Sequence, residues 1–395
     1  MSLLLFCWSF AVLFFWVALC LDPRRLWPRH LKLPEASAEA EGVETISGLA
    51  VVVPARNEAE LLGETLPSLL EQSADYDRLV LVDDRSEDGT GQLARKLLED
   101  SPASESAQVL KGAEPPPGWS GKIYAASRAV EKLVEAPGGD SIDWFLFTDA
   151  DIRHPPGSIR ALRQVASSEA KDLVSVMVRL NTGGWWERLL IPAFVWFFQL
   201  LFPFRSVSKD TSSVAAAAGG CILVSREYLE KIGGLESICG EIIDDVNLAK
   251  RVKAAGGSLW LGLSTTMVSL RSATRLRELS AMVSRTAFDQ LGYRYWLLLL
   301  TLTGLLAFFI SPPLLCAVAM VRDEPLMGLA AALAMSLQTV KYWPAVSHHG
   351  LPPRYALSLP LASCLYLWMT FLSGWNHLRG RGESWRGRTI GTSEP

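Results

Sequence analysis

Three hydrophobic patterns follow one another along the chain. Residues 2–21 form an uncharged run rich in Leu, Phe and Trp, long enough to cross a bilayer as one helix. From residue 49 the pattern breaks into short apolar runs separated by amphipathic stretches. Residues 49–53, 79–82, 144–147 and 173–178 each read as a buried strand. Residues 61–72, 91–98 and 158–166 carry helical spacing, and Leu61, Leu62, Leu66, Leu69 and Leu70 make one face of the first. Strands alternating with helices predict an α/β fold, a Rossmann-like and mostly parallel sheet with helices on both faces. After Arg294 long apolar segments return. Residues 295–321, with Pro312-Pro313 placed to kink them, and residues 356–372 are candidate spans; residues 326–340 are short and Ala-rich and read as re-entrant or interfacial. Residues 187–207 are apolar but interrupted by Pro192, Gln199 and Pro203. They read as a helix lying in the membrane interface, with a buried core helix as the alternative.

This divides the chain into an N-terminal anchor (1–21), a linker (22–48), an α/β domain (49–290), a C-terminal membrane region (295–375) and a basic tail (376–395). Arg24, Arg25, Arg29, His30 and Lys32 follow the first apolar run, whereas a cleaved signal peptide carries its positive charge in front. The expectation is an uncleaved anchor in the cell inner membrane with the next domain in the cytoplasm. Arg379, Arg381, Arg386 and Arg388 favour a cytoplasmic C-terminus, which requires an even number of C-terminal spans, taken here as two. Composition agrees: 49% of residues are hydrophobic and 20% charged, with the apolar excess at the two ends. A net charge of −3 argues against a nucleic-acid partner. Six scattered cysteines show neither zinc-site nor disulfide spacing, as suits a reducing compartment.

In parallel sheets ligands bind beyond the carboxyl ends of the strands, and the polar residues cluster there. Pro54-Ala-Arg56-Asn-Glu58 follows the first strand. Asp83-Asp84-Arg-Ser86 ends the second; these acids suit hydrogen bonds to a nucleobase or ribose, or simply a turn. Asp149-Ala-Asp151 ends the run at 144–147, and in extended backbone positions i and i+2 face one way, so the two carboxylates can converge on one hard cation such as Mg2+, or simply mark a solvated strand end. Asp244-Asp245 opens a helical stretch, where acids suit the helix dipole or supply a general base for an acceptor hydroxyl. Neither a dinucleotide fingerprint nor a P-loop is present.

The ordered series Pro-x-x-Asn-Glu, Asp-Asp-x-Ser, Gly-Lys, Asp-x-Asp, Gly-Gly and Asp-Asp-x-x-Leu-x-x-Arg resembles the family 2 inverting glycosyltransferases of GT-A fold, over roughly residues 49–290. Residues 116–122, 187–192 and 215–221 look most like the hopanoid-associated group, with a more distant likeness to ceramide glucosyltransferases. The resemblance implies a nucleotide-sugar donor and a membrane lipid acceptor. It implies that Pro54, Arg56 and Glu58 line the nucleotide pocket and that Asp83 or Asp84 touches base or ribose. Lys122 would meet the diphosphate, Asp149 the ribose and donor sugar, and Asp151 with Asp149 an Mg2+ or Mn2+ ion. Gly219 and Gly220 would let backbone approach sugar or acceptor, and Asp245 would be the base. Asp244 stands where the family pattern has Glu, which leaves two candidate bases. The late Gln-x-x-Arg-Trp of processive synthases is missing, although Arg285 remains a candidate diphosphate contact. A nucleotidyltransferase on the same fold and a non-catalytic scaffold that binds nucleotide sugar are the competing readings.

Overall fold

The computed structural model describes residues 2–34, 46–379, 383–385 and 388–390. The acidic part of the linker, and Arg381 and Arg386 of the basic tail, lie outside the described residues. The chain forms two compact units. One is α/β and built chiefly from residues 28–180 and 204–271; the other is helical and built from residues 1–27, 181–203 and 272–389.

The α/β unit holds an eight-stranded sheet: β1 (Leu49–Ala55), β2 (Arg78–Asp83), β3 (Ala107–Lys111), β4 (Trp144–Thr148), β5 (Ile152–Arg153), β6 (Leu173–Arg179), β7 (Cys221–Ser225) and β8 (Leu259–Ser269). Their order is β3-β2-β1-β4-β7-β6-β8-β5. Leu49 to Val53 are all buried, because β1 is central and helices cover both faces, which explains why its sequence is apolar without alternation. β1 runs parallel to β2 and β4, with Val52 beside Val80 and Phe147. β7 is antiparallel to both β4 and β6, and Thr148 faces Cys221 across the first of these pairs. The carboxyl end of β4 therefore meets the amino end of β7 at one edge.

The four expected strands are present, each longer by one or two residues, and the α/β class is as expected. β3, β5, β7 and β8 were not anticipated. β3 is a half-exposed edge strand and β5 has only two residues, so neither carries a strong periodic signal. The expected helical face over 61–72 is a helix at Ala59–Leu70 that buries Leu62, Leu66, Leu69 and Leu70; Leu61 is only half-buried and Thr65 takes its place. An unanticipated helix, Gly121–Glu135, starts at Ser120, whose hydroxyl accepts from Ile123 N at 3.3 Å as an N-cap.

Among the described residues of the helical unit, three stretches are long and apolar enough to cross a membrane: Leu3–Leu21, Tyr295–Arg322 and Pro353–Leu378. The second is not a uniform helix. Its turn Leu305–Ile310 is π-helical, just before Pro312-Pro313. Those prolines have no N–H to offer the carbonyls of Phe308 and Phe309 four residues back. Trp16 Nε1 and Gln338 Nε2 donate to these two oxygens instead, each at 2.9 Å, so no buried carbonyl is stranded there. The Ala-rich segment at 326–340 lies within a continuous helix of 24 residues, Pro325–His348, which is not one of these three stretches. The apolar stretch at 187–207 divides into a helix, Trp185–Leu201, and a separate turn, Phe204–Val207. Trp196 of that helix is buried among Trp16, Phe309 and Tyr342, and Tyr366 donates to Leu190 O at 2.9 Å. All six cysteines are free thiols.

Candidate active site

The ends of β1, β2 and β4 and the start of β7 bring most of the singled-out residues to one edge of the sheet. Two turns interlock at the first two strands. Asn57 N donates to Ser86 Oγ, Glu87 N to Asn57 Oδ1, and Glu58 N to Thr90 Oγ1, at 3.0, 2.9 and 2.8 Å. Asn57 and Arg85 hold left-handed backbone, with φ of 52° and 55°, an unusual conformation for arginine that the interlocked turns impose. Asp83 performs turn work: its Oδ1 accepts from Ser86 N at 3.0 Å, while its other oxygen packs so closely on Gly91 that a Cβ there would lie 2.1 Å away. Asp84 is buried and pairs with Arg56 Nη1 at 3.5 Å. Glu58, also buried, is bound through both oxygens to Arg271.

β4 ends at Thr148, and Asp149 to Asp151 make a turn closed by Ile152 N donating to Asp149 O at 3.1 Å. The backbone here is a turn rather than the extended stretch expected, and the two side chains take different partners. Asp149 Oδ1 pairs with Lys122 Nζ at 2.7 Å. Asp151 Oδ2 accepts from Ser269 Oγ at 2.5 Å and stands 3.7 Å from Arg271 Nε. The two acids still feel each other, since burial and the charge of Asp149 together push the Asp151 carboxyl above its ordinary range. Among the described residues no group of three or more acidic, His or Cys side chains forms a ready metal cage. Two carboxylates with mutually unfavourable charges do fit a hard cation that takes its remaining oxygens from a diphosphate and water. Behind the turn, Thr65 Oγ1 donates to Ala150 O at 2.6 Å, and Thr148 Oγ1 meets His154 Nε2 at 2.8 Å. Burial drives the His154 pKa down to about 3, so this ring is neutral and serves as a fixed hydrogen-bonding wedge.

A shallow cavity open to solvent lies at this edge. Its walls are apolar (Ile123, Phe147, Ile222, Leu235, Ile238 and Leu248), and Lys122, Asp149, Asp244 and Asp245 supply the polar groups, with Pro54 and Gly219 completing it. Asp244 and Asp245 occupy the first turn of the helix Asp244–Ala254. Lys122 Nζ reaches Asp244 Oδ2 at 3.7 Å as well as Asp149. Burial opposes its charge, but Asp149 and Asp244 outweigh that and hold the ammonium well above its usual pKa. Asp245 lies against Gly219. Burial first, and the charge of Asp244 second, push its pKa up to about 7, while Lys122 and the amides of Val246 and Gly219 pull it partly back. Val246 N donates to its Oδ1 at 2.7 Å.

A Cβ at Gly219 would come within 3.1 Å of Asp245 Oδ2, so that carboxylate would have to give by a few tenths of an ångström. If Asp245 acts on a substrate bound in this cavity, Gly219→Ala should lower the rate about tenfold by displacing that carboxylate, with the unfolding midpoint nearly unchanged. An unaltered rate would show that the placement of Asp245 is not critical. Gly220 does not line the cavity; its carbonyl accepts from Asp149 N and Thr148 Oγ1 at 3.2 and 3.1 Å and fixes the turn. Arg285 sits in the helix Leu276–Gln290 of the helical unit. Sequence reasoning missed Arg271 and Ser269, which follow from the unanticipated β8, and His154, whose only signal was a lone histidine just after the acidic turn.

The fold and this edge define a mixed α/β protein with an acidic, lysine-bridged cleft at the carboxyl ends of its parallel strands. Residues 50–233 match the family model described as Glycosyl transferase family 2, and the match ends ahead of Asp244-Asp245. Over 111 residues the chain is 32% identical to the 4,4'-diaponeurosporenoate glycosyltransferase of Staphylococcus haemolyticus (strain JCSC1435). That alignment covers 28% of this chain and a quarter (25%) of the relative's length. The mannosyltransferase PcManGT from Pyrobaculum calidifontis, solved in complex with GDP-Man and Mn2+, shares the fold with a TM-score of 0.50 at 17% identity. The likeness covers 96% of this chain and 97% of the mannosyltransferase.

Proposed function

We propose that this chain is a membrane-bound inverting glycosyltransferase that moves a sugar from a nucleoside diphosphate sugar to the hydroxyl of a membrane lipid. The family match over residues 50–233 supports glycosyl transfer. The observation that carries the mechanism is Asp245, a carboxylate with a pKa of about 7 lining the same cavity as Lys122 and Asp149. A base with that pKa is ionised at cytoplasmic pH and still basic enough to accept a proton.

Asp245 takes the proton of the acceptor hydroxyl as its oxygen attacks the anomeric carbon. The bond to the nucleoside diphosphate breaks on the opposite face, so a single displacement inverts the centre. Lys122 stands by as a point charge for the departing diphosphate. A divalent cation, Mg2+ or Mn2+, held by Asp149 and Asp151 would neutralise further charge on that leaving group. Arg56, Glu58, Asp83 and Asp84 shape the nucleotide side of the cleft with Pro54. The apolar helices make a bilayer-resident acceptor reasonable, in an inner membrane with the α/β unit in the cytoplasm. A role in hopanoid metabolism is favoured by the likeness of residues 116–122, 187–192 and 215–221 to the hopanoid-associated group.

Enriched membranes incubated with a panel of UDP- and GDP-sugars should yield a glycosylated lipid by mass spectrometry, and EDTA should abolish it, with Mg2+ or Mn2+ restoring it. Release of pyrophosphate without a glycolipid would favour a nucleotidyltransferase, and EDTA-resistant transfer would remove the cation role of Asp149 and Asp151. The rate should follow ionisation of Asp245, falling to about a tenth of its plateau by pH 6. A flat profile from pH 6 to 8 would exclude a base of that pKa.

A further inference from the structure

Arg271 stands between two buried acids. Its Nη2 lies 2.5 and 2.6 Å from the two oxygens of Glu58, and its Nε lies 3.7 Å from Asp151 Oδ2. Glu58 and Asp151 are 6% and 8% exposed, whereas the arginine side chain keeps 45% of its surface. The sharing is unequal. The contact with Glu58 is short and charge-assisted at both oxygens; that with Asp151 is beyond hydrogen-bond length. Ser269 supplies the hydrogen bond to Asp151 that the guanidinium does not.

We infer that Glu58 and Arg271 form a charge clamp that sets how tightly Asp149 and Asp151 hold a divalent cation. This rests on the assignment of those two aspartates to a cation in the proposed reaction. Without any cation, the guanidinium is the counter-charge of Asp151, so a buried acid is not left alone. When a doubly charged ion arrives, the same guanidinium repels it from a few ångströms away. With water-like screening at this half-exposed side chain, that repulsion weakens binding on the order of tenfold. Glu58 limits the penalty by keeping the guanidinium on its own side. An anionic diphosphate arriving with the ion offsets that repulsion. The clamp therefore favours entry of the cation together with the anionic diphosphate over entry of the cation alone.

The two halves of the clamp make opposite predictions. The experiment is titration of the purified full-length protein with Mn2+, following free Mn2+ by electron paramagnetic resonance without nucleotide and then with added UDP or GDP. Arg271→Gln should bind Mn2+ about tenfold more tightly than wild type and depend less on nucleotide. Glu58→Gln should bind it more weakly, because the freed guanidinium turns to Asp151. Arg271→Lys should fall near wild type, and unfolding midpoints establish that each variant is folded. General loosening of the site would weaken binding in Arg271→Gln and Glu58→Gln alike. If wild type binds Mn2+ and Arg271→Gln binds it equally or less tightly, the clamp is wrong and the cation assignment stands. If no variant binds Mn2+ with or without nucleotide, both fall.

Discussion

Asp245→Asn should leave nucleotide-sugar binding near its wild-type level while cutting kcat about a thousandfold, within the range ascribed to general-base catalysis. The argument begins with burial. Asp245 is in the first turn of its helix, where the dipole favours an ionised carboxylate, yet its pKa is raised to about 7. Desolvation and the neighbouring Asp244 therefore outweigh the dipole, the Lys122 charge and two backbone amides. Asparagine keeps the shape and an oxygen to accept from Val246 N, but it cannot take a proton at neutral pH. The substitution also has a sign for stability. The folded pKa lies above the ordinary carboxylate value, so ionised Asp245 opposes folding; that cost is absent below the ordinary value and complete above pH 7. The Asn variant should consequently unfold at the same or a higher temperature than wild type at pH 8. An inactive variant that is also less stable would point to misfolding. A variant that keeps its rate would transfer the base role to Asp244, which lines the same cavity.

The strands that carry this site were legible because they are buried on both faces. The runs at 49–53, 79–82, 144–147 and 173–178 could hardly be anything else, and their carboxyl ends located the acidic residues. What could not be read was the path of the chain between them. β7 follows Gly219-Gly220 and runs against β4, which brings Gly219 to Asp245; nothing local in Cys221–Ser225 specifies that direction. The strand rule for i and i+2 does not apply at Asp149 and Asp151, because the backbone turns immediately after Thr148. Their separate partners, Lys122 and Arg271, come from a helix start and from the end of β8, neither of them anticipated. Spacing revealed which residues are acidic and at which strand end. Pairing depends on contacts across long sequence separations, which local periodicity does not encode.

Lys122→Met should raise the KM for the nucleotide sugar by on the order of tenfold to a hundredfold and move the acid limb of the rate profile to higher pH. A lysine in the first turn of a helix is locally unfavourable, since the dipole there is positive. It is stable in that position because Asp149 at 2.7 Å and Asp244 at 3.7 Å surround its ammonium. Removing it leaves Asp149, Asp244 and Asp245 facing one cavity without that charge between them. An incoming diphosphate then meets uncompensated carboxylates instead of a cation, so binding weakens before any chemistry occurs. The same loss withdraws the charge that lowers the Asp245 pKa, so the base stays protonated to a higher pH. These effects separate experimentally: KM at pH 8.5, where the base is ionised, reports the diphosphate contact, and the displaced limb reports coupling to Asp245. An unchanged KM with a displaced limb would confine Lys122 to electrostatic support of the base. A fixed limb with a raised KM would assign it to the donor alone, and no change in either would return it to an exposed lysine without a role in transfer.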